Sequence, residues 1–428
     1  MVLLVVLGIF VVGLVIGVPI AFAVGIAALA GYLAFDPALL ILVPQRMYSG
    51  VDSFQLMAVP FFILAGDLMG TSGILRRLIR FAETLVGHLR GGIAQVNIVA
   101  SMIFSGISGS AVADASALGT ALIPTMTERY GNRSFAAAVC AAAASMGPII
   151  PPSIPMVIYA FTVGHISIGG MFLAGVVPGI LMGAGMMVIV YVIARRRGYD
   201  PAGLRATPQQ IGRAFLEATW ALVMPAIILG GTLGGVFTAT ESAAVAVAYA
   251  VVVGALITRE LRWAHVLQAL ERCVLISAVV FFLVATSEVV TWLLSATGLP
   301  VALAEALRSV STDPRIFLLL VNVFLLVAGT ILEPVPLIIM VAPILAPIAA
   351  SYGIDPLHFG FVFVLNVVIG LMTPPVGGIL FTVCGIARAP IERVSVESMP
   401  FLLWLAAVLL LVTYAPWIAM GLPNAFGY

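Results

Sequence analysis

Two stretches of the chain combine hydroxyls, glycines and a carboxylate in a pattern suited to holding small ions. The first reads Ser105-Gly106-Ile107-Ser108-Gly109-Ser110, with Asp114 four residues on. Its glycines permit a tight reversal, and Ser110 is a natural N-cap for a helix starting at Ala111. Such a start offers free N–H groups and the positive end of a helix dipole, a seat for a carboxylate. The carbonyls ending the preceding helix offer oxygens to a hard cation. The second stretch, Gly329-Thr330-Ile331-Leu332-Glu333-Pro334, places Glu333 before a proline suited to a first helical position. Two further stretches break helices: Ser145 to Ser153, with Gly147-Pro148 and Pro151-Pro152, and Met372 to Gly378, with Pro374-Pro375. Proline removes a donor and frees carbonyls of the turn before it. Ser153 and Thr373 are positioned to cap the helices that restart, with Pro155 tolerated in the first turn after Ser153.

These elements sit in an apolar setting. Of 428 residues, 62% are hydrophobic and 9% charged, with a mean hydropathy of +1.21. That excludes a soluble enzyme, a nucleic-acid binder and a disordered chain. Continuous apolar runs exclude a β-barrel. An all-α protein crossing a membrane many times is left. Apolar segments run over 2–34, 54–72, 92–126, 133–165, 169–194, 213–236, 239–258, 272–297, 315–351, 355–387 and 398–421. The stretch from Met1 lacks a basic leader or small-residue cleavage pattern and reads as a retained span. Segments 92–126 and 315–351 are too long for one span and too short for two. Each reads as a re-entrant hairpin of two half-helices of ~15 residues, ~22 Å apiece.

Sliding the chain on itself by 223 residues puts Gly106 on Gly329, Pro124 on Pro347 and Pro151-Pro152 on Pro374-Pro375. At an offset of 220, Phe61-Phe62 falls on Phe281-Phe282. Hairpin, proline-ended half-helix and double-proline break therefore occur twice, in order. The joint after 194 (Arg195, Arg196, Arg197, Arg205 and Arg213 against Asp200) and the stretch 73–91 (Arg76, Arg77, Arg80 and Arg90 against Glu83) are basic, which places both in the cytoplasm. The stretch 299–315 balances Arg308 and Arg315 with Glu305 and Asp313, which fits the outside. Two inverted repeats follow as an expectation, and interrupted helices at matching places mark the site of a secondary transporter.

This divides the chain into scaffold helices and an interfacial amphipathic arm over 1–91, a hairpin, broken helix and span over 92–194, and a cytoplasmic linker over 195–212. A second scaffold and arm follow over 213–310, and a second hairpin, broken helix and span over 311–428. Asp67, Glu241 and Glu288 read as helix-terminal or interhelical hydrogen-bonding acids, with a proton site as the alternative for each. Trp404, Trp417, Tyr414 and Trp292 read as interfacial anchors. Cys140, Cys273 and Cys384 read as small buried hydrophobes. No Lys occurs anywhere and no Arg lies within the four interruptions. A phosphate-binding loop for ATP is thereby excluded, and an anion must be held by dipoles, hydroxyls and co-bound cations. No His-Glu, Ser-His or Asp-Asp catalytic spacing lies within a span, so an intramembrane enzyme is disfavoured.

At Gln45 to Met69, Ser105 to Pro124, Gly147 to Tyr159, Gly235 to Ala250, Gly329 to Pro347 and Leu371 to Gly385, the chain resembles the large membrane subunit, DctM type, of tripartite ATP-independent periplasmic (TRAP) transporters. Those stretches span nearly the whole chain. The resemblance implies an elevator in the bacterial inner membrane, in which hairpins and broken helices move against a scaffold. It implies Na⁺-driven uptake of an organic acid such as a C4-dicarboxylate or a sugar acid, with Na⁺ as the coupling ion and no covalent cofactor. Its implied partners are a periplasmic binding protein (DctP type) that delivers the solute and a separate four-helix membrane subunit (DctQ type). Carried onto this chain, one Na⁺ site draws on Ser105, Gly106, Ser108 and Gly147, and a second on Gly329, Thr330, Glu333 and Thr373. Ser110, Ser153 and Asp114 would face the solute. The rival expectation is a stand-alone proton- or sodium-coupled dicarboxylate transporter or antiporter that uses no binding protein.

Overall fold

The computed structural model describes residues 2–374 and 376–428; Pro375 of the second double-proline pair lies outside them. All regular structure among the described residues is helical. The chain opens with α1 (Val2–Val15), α2 (Ile20–Phe35), α3 (Leu42–Val51), α4 (Ala58–Thr71) and α5 (Ile74–Val86). The first hairpin is α6 (Gly92–Ser108) and α7 (Ala111–Tyr130), and the first broken helix is α8 (Arg133–Ala144) and α9 (Ile154–Val163). A long helix, α10 (Ile168–Arg197), follows, then α11 (Pro208–Leu233), α12 (Ala239–Val252), α13 (Trp263–Ala296) and α14 (Leu299–Val310). The second hairpin is α15 (Pro314–Gly329) and α16 (Pro334–Ser351), and the second broken helix is α17 (Pro356–Gly370) and α18 (Gly378–Ala387). The chain ends with α19 (Ile391–Tyr414) and α20 (Trp417–Ala425).

Among the described residues six helices, α10, α11, α12 with its terminal π turn, α13, α16 and α19, are long and apolar enough to cross a membrane. Two bent pairs, 37–71 and 299–329, would raise the count to eight. Exposed apolar side chains such as Val274, Leu275 and Val279 on α13 suit a lipid-facing surface.

Helix order repeats. Starts at 92, 111, 133, 154 and 168 recur at 314, 334, 356, 378 and 391, which keeps the spacing read from prolines and glycines within a residue or two. Packing is reciprocal too: α7 lies against α18, and its counterpart α16 lies against α9. Each hairpin thus closes on the restarted helix of the opposite half.

Four details differ from the sequence reading or complete it. The half-helices have 17 and 20 residues in the first hairpin and 16 and 18 in the second, longer than expected. Neither Pro124 nor Pro347 ends its helix; α7 continues to Tyr130 and α16 to Ser351. A proline deletes one hydrogen bond, and packed neighbours within a membrane tolerate the kink. The first apolar segment folds back on itself. A β-carbon on Gly13 would meet Ala23, and one on Gly31 would meet Val6, a pairing that descends one helix as it climbs the other. Trp404 is half-buried: its ring fills the space beside Gly185, and its Nε1 donates to the Met182 carbonyl at 3.2 Å.

α5 is amphipathic as expected, burying Ile74, Leu78 and Ala82 while Arg76 and Arg80 stay exposed. Glu241 is a helix-terminal acid: it accepts from the backbone N–H of Thr238 at 2.7 Å in a capping box. All three cysteines are buried and free.

Candidate functional site

The first hairpin turns in two residues. Gly109 adopts a left-handed φ of +62°, and Ser110 is extended, its hydroxyl accepting from Ala113 N–H at 3.5 Å. The serine cap expected from sequence is therefore present. Ser108 Oγ donates to Asp114 Oδ1. Ser105 Oγ lies 2.6 Å from the Ser101 carbonyl and 3.0 Å from Asp114 Oδ2, so its one proton serves either acceptor. Asp114 is fully buried, with both oxygens engaged by hydroxyls of the same hairpin. Ser110 alone among the hydroxyls of this tip is more than marginally accessible.

The first break presses on this tip. Gly147 lies so near that a β-carbon there would fall 3.1 Å from the Ser110 carbonyl oxygen. A β-carbon on Gly109 would fall 2.7 Å from the Pro152 carbonyl. The Pro151–Pro152 bond is cis. Ser153 caps α9, accepting from Met156 N–H at 3.2 Å while donating to the Pro148 carbonyl. Pro155 occupies the first turn of α9. Among the described residues the carbonyls of Gly106, Ile107, Ser108 and Gly147 accept no hydrogen bond from the protein. Those of Ile107 and Ser108 turn toward Gly66 of α4. Unbonded carbonyls and hydroxyls of this kind suit a hard cation.

The second tip has the same plan and different chemistry. Thr330 ends α15, its hydroxyl donating to the Val327 carbonyl at 2.8 Å. Glu333 occupies the N-cap position of α16, extended and exposed, with no cap hydrogen bond from its side chain. Its Oε1 lies near Gly378, the first residue of α18. The carbonyls of Gly329, Thr330, Ile331 and Leu332 accept no hydrogen bond among the described residues. Gly329 and Gly370 touch backbone to backbone: a β-carbon on Gly370 would lie 2.7 Å from the Gly329 carbonyl carbon. Thr373 does not cap α18. Its hydroxyl donates back to Ile369 at 2.9 Å, and Gly377, with φ of +56°, takes the capping position. A positive φ at this restart suits glycine and penalises a β-branched threonine.

A family model described as "Tripartite ATP-independent periplasmic transporter, DctM component" matches residues 7–418. The chain belongs to the DctM family. It is a membrane permease and not an enzyme. Its relatives include the sialic acid TRAP transporter large permease protein SiaM of Vibrio cholerae, 39% identical across 96% of both chains. The C4-dicarboxylate large permease protein DctM of Rhodobacter capsulatus is 34% identical across 99% of both. The isethionate permease protein DctMQ of Oleidesulfovibrio alaskensis is 40% identical across 96% of this chain, which spans 65% of that longer protein. The YdaH transporter of Alcanivorax borkumensis has the same fold, with a TM-score of 0.63 at 16% identity, covering 91% of this chain and 90% of its own.

The DctM-family chain also holds buried polar groups that sequence reading missed. Asn322 of α15 donates to Thr413 of α19 at 3.0 Å, and Asn366 of α17 donates to Asn322 Oδ1 at 2.8 Å and to its carbonyl at 3.0 Å. On α6, Asn97 and Ser101 join the already identified Ser105 and Ser108 in a buried polar stripe at the i, i+4, i+8, i+11 spacing of one helix face. A lone asparagine in an apolar run was the available signal, because such residues in membrane helices usually have partners.

Proposed function

We propose that this inner-membrane permease takes up an organic acid anion together with Na⁺, receiving the solute from a periplasmic binding protein and working beside a small four-helix membrane subunit. The observation that carries the reading is the pairing of each hairpin tip with a helix break, both rich in unbonded carbonyls, in a region free of Arg and Lys. Oxygen ligands without a fixed cation need a mobile one, and a bound Na⁺ then offsets the charge of a carboxylate. Because the inside of a cell is negative, accumulating an anion requires co-transported cations.

One Na⁺ is assigned to Ser105, Gly106, Ser108 and Gly147, and a second to Gly329, Thr330, Glu333 and Thr373. Ser110 and Ser153 are assigned to the solute. Asp114 has both oxygens on hairpin hydroxyls, so its contribution to the solute is to hold Ser108 and Ser110 in register. Relatives are named for sialic acid, 2,3-diketo-L-gulonate, C4-dicarboxylates and the sulfonate isethionate, which supports an organic acid anion as the solute class. The reciprocal packing of α7 on α18 and α16 on α9 supports inverted repeats moving together as an elevator against α2, α4, α11 and α13.

The test is uptake into proteoliposomes holding this permease, its small subunit and the binding protein. Replacing external Na⁺ by choline should abolish uptake. Uptake that persists without Na⁺ and follows a proton gradient, or that needs no binding protein, would establish the stand-alone rival.

A further inference from the structure

The arm and the second scaffold flank an open cavity of about 590 Å³. Its walls carry Arg76, Arg77 and Arg80 from α5 and Arg213 and Trp220 from α11. On α11 the lining positions 213, 216, 217 and 220 follow the i, i+3, i+4, i+7 spacing of one helix face. Phe81 meets Phe215 edge-on at 5.7 Å and ties the two helices together beneath the cavity.

Four guanidinium groups face two carboxylates. Arg76 reaches Glu260 at 3.7 Å, and Arg80 reaches Glu217 at 3.8 Å, both loose and exposed pairs of little strength. No ion pair within 4 Å engages Arg77 or Arg213 among the described residues. The cavity therefore keeps a surplus of two positive charges, in a fork geometry suited to phosphate oxygens. Leu216 and Trp220 add an exposed apolar wall, 70% and 40% accessible. A soluble anion has no use for that wall. It matches the glycerol and first acyl carbons of a lipid, and tryptophan favours the membrane surface. The density of arginine around this end places it on the cytoplasmic side by the positive-inside rule.

We propose that this cavity binds the phosphate headgroup of an anionic phospholipid, pinning the amphipathic arm to α11. Basic pockets between helices at the cytoplasmic surface take such headgroups. Because α5 leads straight into the first hairpin and also packs on α6, the lipid anchors the element from which the moving tip departs.

The test uses the whole permease, purified in mild detergent and stripped of lipid, with bound lipid read by native mass spectrometry and melting by fluorescence. Cardiolipin or phosphatidylglycerol should be retained and raise the melting temperature, whereas phosphatidylcholine and millimolar inorganic phosphate should not. The Arg77→Gln/Arg213→Gln variant should lose anionic-lipid occupancy by about tenfold or more. An Arg195→Gln/Arg196→Gln control, with equal charge loss at exposed sites outside the cavity, should keep it. Should the first variant fail to fold, Glu217→Gln serves instead: it releases Arg80 and should increase retention. Equal retention by the cavity variant and wild type overturns the proposal. So does stabilisation by inorganic phosphate alone. Loss of small-subunit co-purification with lipid unchanged would assign the cavity to a protein contact.

Discussion

Gly147 and Asp114 touch across the join between the first break and the first hairpin tip: a β-carbon on Gly147 would lie 2.7 Å from Asp114 Oδ2. Two interrupted helices approach closely only because this residue has no side chain. Gly147→Ala should push the tip off the break, with an overpacking cost of about 1–3 kcal/mol. Gly385→Ala on α18, where a β-carbon meets nothing within 4 Å, serves as the control. The first should lower the melting temperature and Na⁺-driven uptake, and the second should change neither. Equal behaviour of the two would show that the contact is unimportant.

Asp114 holds the tip from within. Asp114→Ala leaves the Ser108 hydroxyl without its acceptor in a buried site while Ser105 keeps the Ser101 carbonyl, a loss of about 1–3 kcal/mol. Asp114→Asn keeps one acceptor oxygen and presents an amide to the other hydroxyl, so it should fall between. Both should raise the Na⁺ concentration for half-maximal uptake, alanine more than asparagine. A wild-type Na⁺ response in both would remove Asp114 from any role in shaping the cation site.

Much of this was legible before any coordinates. Spacing of glycines and prolines located both tips and both breaks, because reversal and helix breaking depend on the residue itself. Caps at Ser110 and Ser153 followed for the same reason. Pro124 and Pro347 misled, since a single proline bends a packed membrane helix without ending it. Thr373 misled because the restart of α18 needs a positive φ, which no hydroxyl signals. The Asn322–Asn366–Thr413 cluster was hidden because its members lie 44 and 91 residues apart. Only the packing of α15 on α17 and α19 brings them together.

That cluster predicts a coupling. Asn366→Ala removes the donor to Asn322, and Thr413→Ala removes the acceptor of its amide. Interhelical hydrogen bonds in membranes average about 0.6 kcal/mol and reach about 1.7 kcal/mol. Each single variant should therefore cost up to about 2 kcal/mol, and the double variant less than the sum. Strict additivity in a melting series would mean that the three side chains do not act as a unit.

Glu397 braces the other end of the molecule. It pairs with Arg197 through both oxygens, at 2.9 and 3.0 Å, and accepts from Asn132 at 3.1 Å, so α8, α10 and α19 meet on one carboxylate. Arg197 is 38% exposed, which weakens the pair through solvent screening. Glu397→Gln should then cost only about 0.5–1 kcal/mol, and less in high salt. A melting temperature indifferent to salt in both proteins would show that the fork contributes no electrostatic stability.

Glu333 poses a sharper choice between shape and charge. Its position before Pro334 starts α16, yet its side chain makes no cap hydrogen bond, so helix initiation does not need the carboxylate. If starting α16 is its whole role, Glu333→Gln should transport as wild type does. If its negative charge helps draw a cation to the second tip, Glu333→Gln should raise the Na⁺ requirement while Glu333→Asp largely keeps it. Because the side chain is exposed, that difference must shrink as choline chloride raises the ionic strength, with screening acting over about 10 Å at 0.1 M. A glutamine variant matching wild type at low and high salt alike would take Glu333 out of the cation site. The second tip would then bind through backbone carbonyls and the Thr330 and Thr373 hydroxyls alone.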